Sequence, residues 1–159
     1  MPQCAPAVPT LRPLASGPGW RVTEVTCHAG PQDRPYEERH DWVSIAAVLD
    51  GRFTYRSARG RALMAPGSFL LGSVGQCFEC GHDHGSGDRC VAFQFEPAVF
   101  EDIVSGLRGV RDIAFRAARL PPFGPMLPLF PPARGTERTA GSALCRGPGA
   151  GCRRRVRSS

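Results

Sequence analysis

Short runs of β-branched, aromatic and aliphatic residues, cut by Gly, Pro and Asp-Gly, constrain this chain more than any other feature. Residues 20–27 (Trp-Arg-Val-Thr-Glu-Val-Thr-Cys) are rich in β-branched side chains and predict a strand. Residues 28–41 are polar, carry Pro31 and Pro35, and predict a loop. Residues 42–49 form a nearly continuous apolar run of strand length. Asp50-Gly51 supplies a tight hairpin turn, and residues 52–57 then alternate aromatic and polar side chains as a half-buried strand does. Turns at residues 58–60 and at Pro66-Gly67 delimit short strands at 61–64 and 68–72. Residues 76–80 predict another strand, the glycine-rich stretch 81–87 a turn, and residues 89–95 a strand with Val91, Phe93 and Phe95 on one face. Six or seven short strands so spaced mean a sandwich or a small barrel. Pro97 suits the first turn of a short helix reaching about Gly106, with Phe100, Ile103, Val104 and Leu107 at helical spacing.

The ends differ in kind. Residues 1–19 are Pro- and Gly-rich without a sustained apolar stretch, which predicts a flexible lead rather than a signal peptide. Residues 121–159 are rich in Pro, Arg and Gly and predict a disordered tail, because they hold too little apolar surface to offset ordering entropy. Every one of the 20 basic residues is Arg. The net charge of +6 resides in residues 133–159, where the arginines face Glu137 alone, so the basic balance says nothing about the folded part. The run Arg153-Arg-Arg-Val-Arg157 has no interleaved aromatics and reads as a solvated tail. No window approaches the ~18 apolar residues of a membrane span, so the expected location is the cytoplasm and no membrane partner is expected.

The chain has seven cysteines. Cys77, Cys80 and Cys90 crowd beside His82 and His84, which points to metal or redox chemistry before a disulfide framework. With the 81–87 turn centred near Ser86, His82 falls opposite Cys90, and Cys80, His82 and His84 share a face. Cys77, Cys80, His82, His84 and Cys90 are therefore the candidate metal ligands, with Zn the first candidate because thiolates and imidazoles suit it. The alternative is ordinary packing of small cysteines beside an exposed turn. Phe53, Tyr55 and Trp42 are candidates to line a ligand pocket, core packing being the alternative for each.

One set of segments carries a family likeness: Glu37-Glu-Arg-His40, residues 45–51 (Ile-Ala-Ala-Val-Leu-Asp-Gly), Phe53-Thr-Tyr-Arg-Ser57, residues 66–72 (Pro-Gly-Ser-Phe-Leu-Leu-Gly) and the Gly-His-Asp-His-Gly-Ser-Gly-Asp-Arg-Cys stretch ending at Cys90. Together, over residues 20–120, they resemble the N-terminal cupin-like domain of AraC/XylS-type bacterial transcription regulators. The resemblance implies a mainly β fold, a cupin-like β-barrel or jelly roll with one or two short C-terminal helices. It also implies sensing of a small-molecule or metal effector, and a homodimer. Such regulators bind DNA through a C-terminal pair of helix-turn-helix motifs. No such pattern follows residue 120, so DNA contact is expected only through a missing C-terminal domain. A frameshift or cloning boundary near residues 122–133, leaving a truncated regulator, is the expected origin of the tail.

Catalytic cupins hold a metal with a His-x-His pair, a Glu and a further His. The matching first-motif region here offers His40, with Glu38 and Asp41 beside it. No catalytic residue and no enzymatic activity are therefore expected. The alternative is a stand-alone metal-binding cupin protein or a metal-dependent cupin enzyme.

Overall fold

The computed structural model describes residues 7–83, 85 and 87–129. Nine strands come first: β1 (Thr10–Gly17), β2 (Trp20–Cys27), β3 (Glu37–Arg39), β4 (Val43–Gly51), β5 (Phe53–Ser57), β6 (Gly60–Met64), β7 (Phe69–Gly72), β8 (Cys77–Gly81) and β9 (Asp88–Phe95). A helix α1 (Pro97–Ser105), a short strand β10 (Arg119–Leu120) and a 3-10 turn (Gly124–Leu129) follow. The strands form two sheets, ordered β1-β2-β9-β4-β7-β10 and β3-β8-β5-β6. They face each other as a mainly β sandwich, as the turn spacing predicts, in the cupin-like form that the resemblance implies.

Strand alternation builds the interior. Ala46 and Val48 of β4, Leu70, Cys90 and Ala92 on the larger sheet meet Phe53, Tyr55 and Met64 of the smaller one. Tyr55, Met64 and Val48 are completely enclosed. β4 reads as a continuous apolar run because it is central and covered on both sides. Val43, on its other face, is also fully buried and pairs in register with Phe95. Phe95 in turn carries Phe100 of α1, at 5.7 Å between ring centroids. Pro97 stands in the first turn of α1, as expected, but Phe100 is its one buried residue, while Ile103 and Leu107 are exposed.

Three differences from the sequence expectation matter. Residues 10–17, expected as flexible lead, form an edge strand antiparallel to β2, with a register shift between Pro13 and Ala15. An edge tolerates a proline that cannot donate to a ladder. The loop expected at 28–41 contains β3, which pairs with β8. The third difference is decisive for the site. β8 pairs with β3 and β5, whereas β9 pairs with β2 and β4, so the segment between them crosses from one sheet to the other and is no hairpin. The disordered tail expected over residues 121–159 falls mostly outside the described residues, as do Cys145, Cys152 and the Arg153–Arg157 run.

Candidate functional site

Cys27 ends β2, Asp88 begins β9, and the antiparallel register sets them directly opposite each other. They share the interior face with the neighbouring pair Val25 and Cys90. His82, one residue past β8, reaches them from the other sheet. Its Nε2 donates a hydrogen bond of 2.6 Å to Asp88 Oδ2, and the two side chains are only 3% and 7% exposed. Hydrogen bonds to Asp88 and then to Cys27 raise the His82 pKa to about 9, against the opposing effect of burial. The ligand atoms of Cys27, His82 and Asp88 all lie within 4.8 Å of one another.

Backbone packing beneath this trio admits no side chains. Gly87 has φ +80°, its N–H donates to Ala29 O at 2.7 Å, and a Cβ there would sit 2.6 Å from Cys27 O. Gly51, at φ +79°, pairs with Asp88, and a Cβ would collide with Gly87 O. These two glycines let β2, β4 and the crossover segment close around the trio.

A second polar group lies along β3. Tyr36, Glu38 and His40 alternate with the exposed Glu37 and Arg39, so the first three face inward. His40 is locked: Nε2 meets the Tyr55 hydroxyl at 3.0 Å, and its ring stacks on Phe78 at 4.1 Å. Gly72 lies flat against the His40 ring, where a Cβ would collide. Burial lowers the His40 pKa to about 4, so the ring is neutral at physiological pH. Burial also pushes the Glu38 carboxyl up.

Both groups border one cavity of about 770 Å³, within the ~300–1,000 Å³ usual for small-molecule sites. Cys27, His82 and Asp88 line it, as do Tyr36, Glu38 and His40, with Phe53, Phe78 and Cys80 among the walls.

The metal-ligand set expected from sequence is thus redrawn. His82 belongs to the trio. Cys80 and Cys90 pack with the core, and burial pushes both thiols up, so they stand as neutral thiols. Cys90 Sγ does approach Asp88 Oδ1, at 3.4 Å. Cys77 lies on the face of β8 opposite Phe78 and Cys80, and is disulfide-bonded. His84 lies outside the described residues. The expected cross-hairpin geometry fails because β8 and β9 belong to different sheets. Of the pocket candidates, Phe53 lines the cavity. Tyr55 is fully buried behind it, and Trp42 lies under the Arg21 guanidinium, 4.5 Å from the ring centre. Sequence reasoning missed Cys27 and Asp88, 61 positions apart, because nothing local announces that β2 and β9 pair.

Among the described residues, the His-x-His, Glu and His set of metal-dependent cupins is not assembled. His40 in the corresponding region is held by Tyr55, Phe78 and Gly72 and joins no group of metal-capable side chains among the described residues.

No protein-family model matches the chain, and no curated protein matches it. Solved structures resemble its fold. A Cupin 2 conserved barrel domain protein from Salinispora arenicola is 14% identical over 61% of this chain and 83% of that one, with a TM-score of 0.47. The EutQ protein of Clostridium difficile is 11% identical over 57% and 69%, at 0.48. The DMSP lyase DddQ from Ruegeria pomeroyi is 12% identical over 57% of this chain and 48% of its own, at 0.49. FeII HppE also appears among these structures. The expectation that the chain is no enzyme is corrected to this extent: the solved structures similar to it include a protein named as a lyase. No described helix is long and apolar enough to cross a membrane.

Proposed function

We propose that this chain is a metal-binding cupin-type protein that holds a divalent transition metal on Cys27, His82 and Asp88 and presents it to a small molecule in the adjoining cavity. The observation that carries the reading is the convergence of a thiol, an imidazole and a carboxylate within 4.8 Å on the cavity wall. Three protein ligands with a position left for solvent or substrate is the pattern of reactive zinc sites, and this donor set suits zinc. A bound ion would supply Lewis-acid polarisation of a ligand oxygen or nitrogen. The chain's own contribution is orientation: Gly51 and Gly87 fix the backbone that brings Asp88 opposite Cys27, and an ion on the trio would replace the His82–Asp88 hydrogen bond. Without metal, the trio forms a closed network in which the His82 imidazolium bridges Asp88 and Cys27.

Cobalt(II) reconstitution separates a metal centre from a purely structural network. Wild-type protein is expected to take up one equivalent and show a sulfur-to-cobalt charge-transfer band, which Cys27→Ser abolishes while circular dichroism stays unchanged. Failure of the folded wild type to bind cobalt, or a band that survives Cys27→Ser, sinks the proposal.

A second reading, the effector-sensing domain of an AraC-type regulator, is supported by the same cavity. It predicts that a ligand filling the cavity alters dimerisation, measured by sedimentation, with no metal required.

A further inference from the structure

Glu38 is unlike the other carboxyls on the cavity wall. Asp33 accepts the Gly30 N–H at 2.8 Å, Asp41 pairs with Arg39 at 3.5 Å, and Asp88 receives His82 at 2.6 Å. Among the described residues, Glu38 has neither a hydrogen bond nor an ion pair. It nonetheless faces inward from the middle of β3, in register with Phe78 of β8. Burial is the one influence that displaces its titration, and it acts to disfavour the charge. A half-buried carboxylate without a partner costs free energy that a cation in the cavity would offset.

The surroundings favour an organic cation. Tyr36 stands on one side of Glu38 along the wall and His40 on the other, and Phe78 lies across from it. His40 is neutral, so it brings no opposing charge. Aromatic faces beside a carboxylate attract ammonium groups through the ring quadrupole as well as the ion pair. Two of the wall's guanidinium groups are engaged elsewhere: Arg39 is held by Asp41, and Arg21 by Gln94 and Trp42. Arg34 lies exposed at the rim.

We propose that the cavity takes a small ammonium-bearing ligand, with Glu38 as its counter-ion between Tyr36, His40 and Phe78. This goes beyond the metal reading and uses none of Cys27, His82 and Asp88.

The test uses metal-free protein in the presence of a chelator, with three probes of equal chain length: butylammonium, butanol and butyrate. Binding is read by ligand-detected NMR, and Glu38 is followed through its carboxyl carbon. Butylammonium is expected to bind more tightly than the other two and to lower the Glu38 pKa, which butanol leaves in place. The Glu38→Gln variant, of nearly the same shape, is expected to bind butylammonium about tenfold or more weakly, the usual effect of losing a charged hydrogen-bond partner. Undetectable butylammonium binding, butyrate binding as tight as butylammonium, or a Glu38→Gln variant that binds unchanged would each overturn the proposal. None of these outcomes touches the cobalt experiment, since that trio keeps its residues and no metal is present here.

Discussion

Lowering the pH from 7 to 5 should destabilise the barrel through His40, by an amount that follows from its surroundings. The ring is packed between Phe78 and Gly72, with Nε2 on the Tyr55 hydroxyl, and burial lowers its pKa from 6.5 to about 4. In the unfolded chain the same imidazole titrates near its ordinary value. Between pH 6.5 and 4 the unfolded state therefore binds a proton that the folded state refuses. The contribution of neutral His40 is complete above pH 6.5 and is lost as the pH falls toward 4. At ~1.36 kcal/mol per unit the whole shift corresponds to about 3 kcal/mol, of which about 2 kcal/mol is lost by pH 5. His82 acts in the opposite sense. Its pKa is raised to about 9, so its contribution is fully present below 6.5 and fades as the pH rises through 9. Comparing wild type with His40→Gln cancels that contribution. Urea unfolding of both proteins at pH 7 and pH 5, with chelator and followed by tryptophan fluorescence and circular dichroism, gives the four stabilities required. The wild type should lose about 2 kcal/mol more than the variant. Equal losses in the two proteins would refute the reasoning, whatever their absolute stabilities.

Two further substitutions probe the same architecture. Tyr55→Phe removes the hydroxyl facing His40 Nε2 in a fully enclosed position and should cost about 1–3 kcal/mol in urea unfolding at pH 7, the usual penalty for a buried polar atom left without its partner. Gly87→Ala puts a methyl group 2.6 Å from Cys27 O at φ +80°; a loss of about 1–2 kcal/mol in stability is expected from the left-handed backbone alone. Cobalt uptake should weaken together with it, because the collision pushes Cys27 away from Asp88; an unchanged cobalt spectrum in this variant would show that the glycine does not shape the site.

Local signals carried much of the fold. Residues 20–27 form β2 at the expected limits, and Asp50-Gly51 does end β4 before β5. Pro97 opens α1, and Ser105 closes it one residue before the expected Gly106. In each case the information is short-range: β-branching, alternation, a glycine at positive φ, or a proline that needs no donor. The Pro- and Gly-rich lead of residues 1–19, which includes the strand at 10–17, misled for the opposite reason. Its composition reads as loose chain, yet the free edge of β2 organises it.

The candidate site divides along the same line. The sequence alone named His82 as a candidate metal ligand and Phe53 as a candidate for a pocket wall. It noted Glu38 near His40 but in a stretch expected to be loop, so their common face on β3 was not foreseen. It could not assign Cys80 and Cys90 to the core, since a thiol looks the same in a pattern whether it packs or coordinates. Still less could it find Cys27 and Asp88. Their meeting depends on β2 pairing with β9 while β8 joins the other sheet, a choice made by contacts between residues far apart in the chain. Strand periodicity repeats every two residues and has no memory of which strand lies alongside. Periodicity and turn chemistry determined that this chain is a small β sandwich with one short helix; only the tertiary packing, by closing two sheets over one cavity, decided which thiol, imidazole and carboxylate face each other inside it.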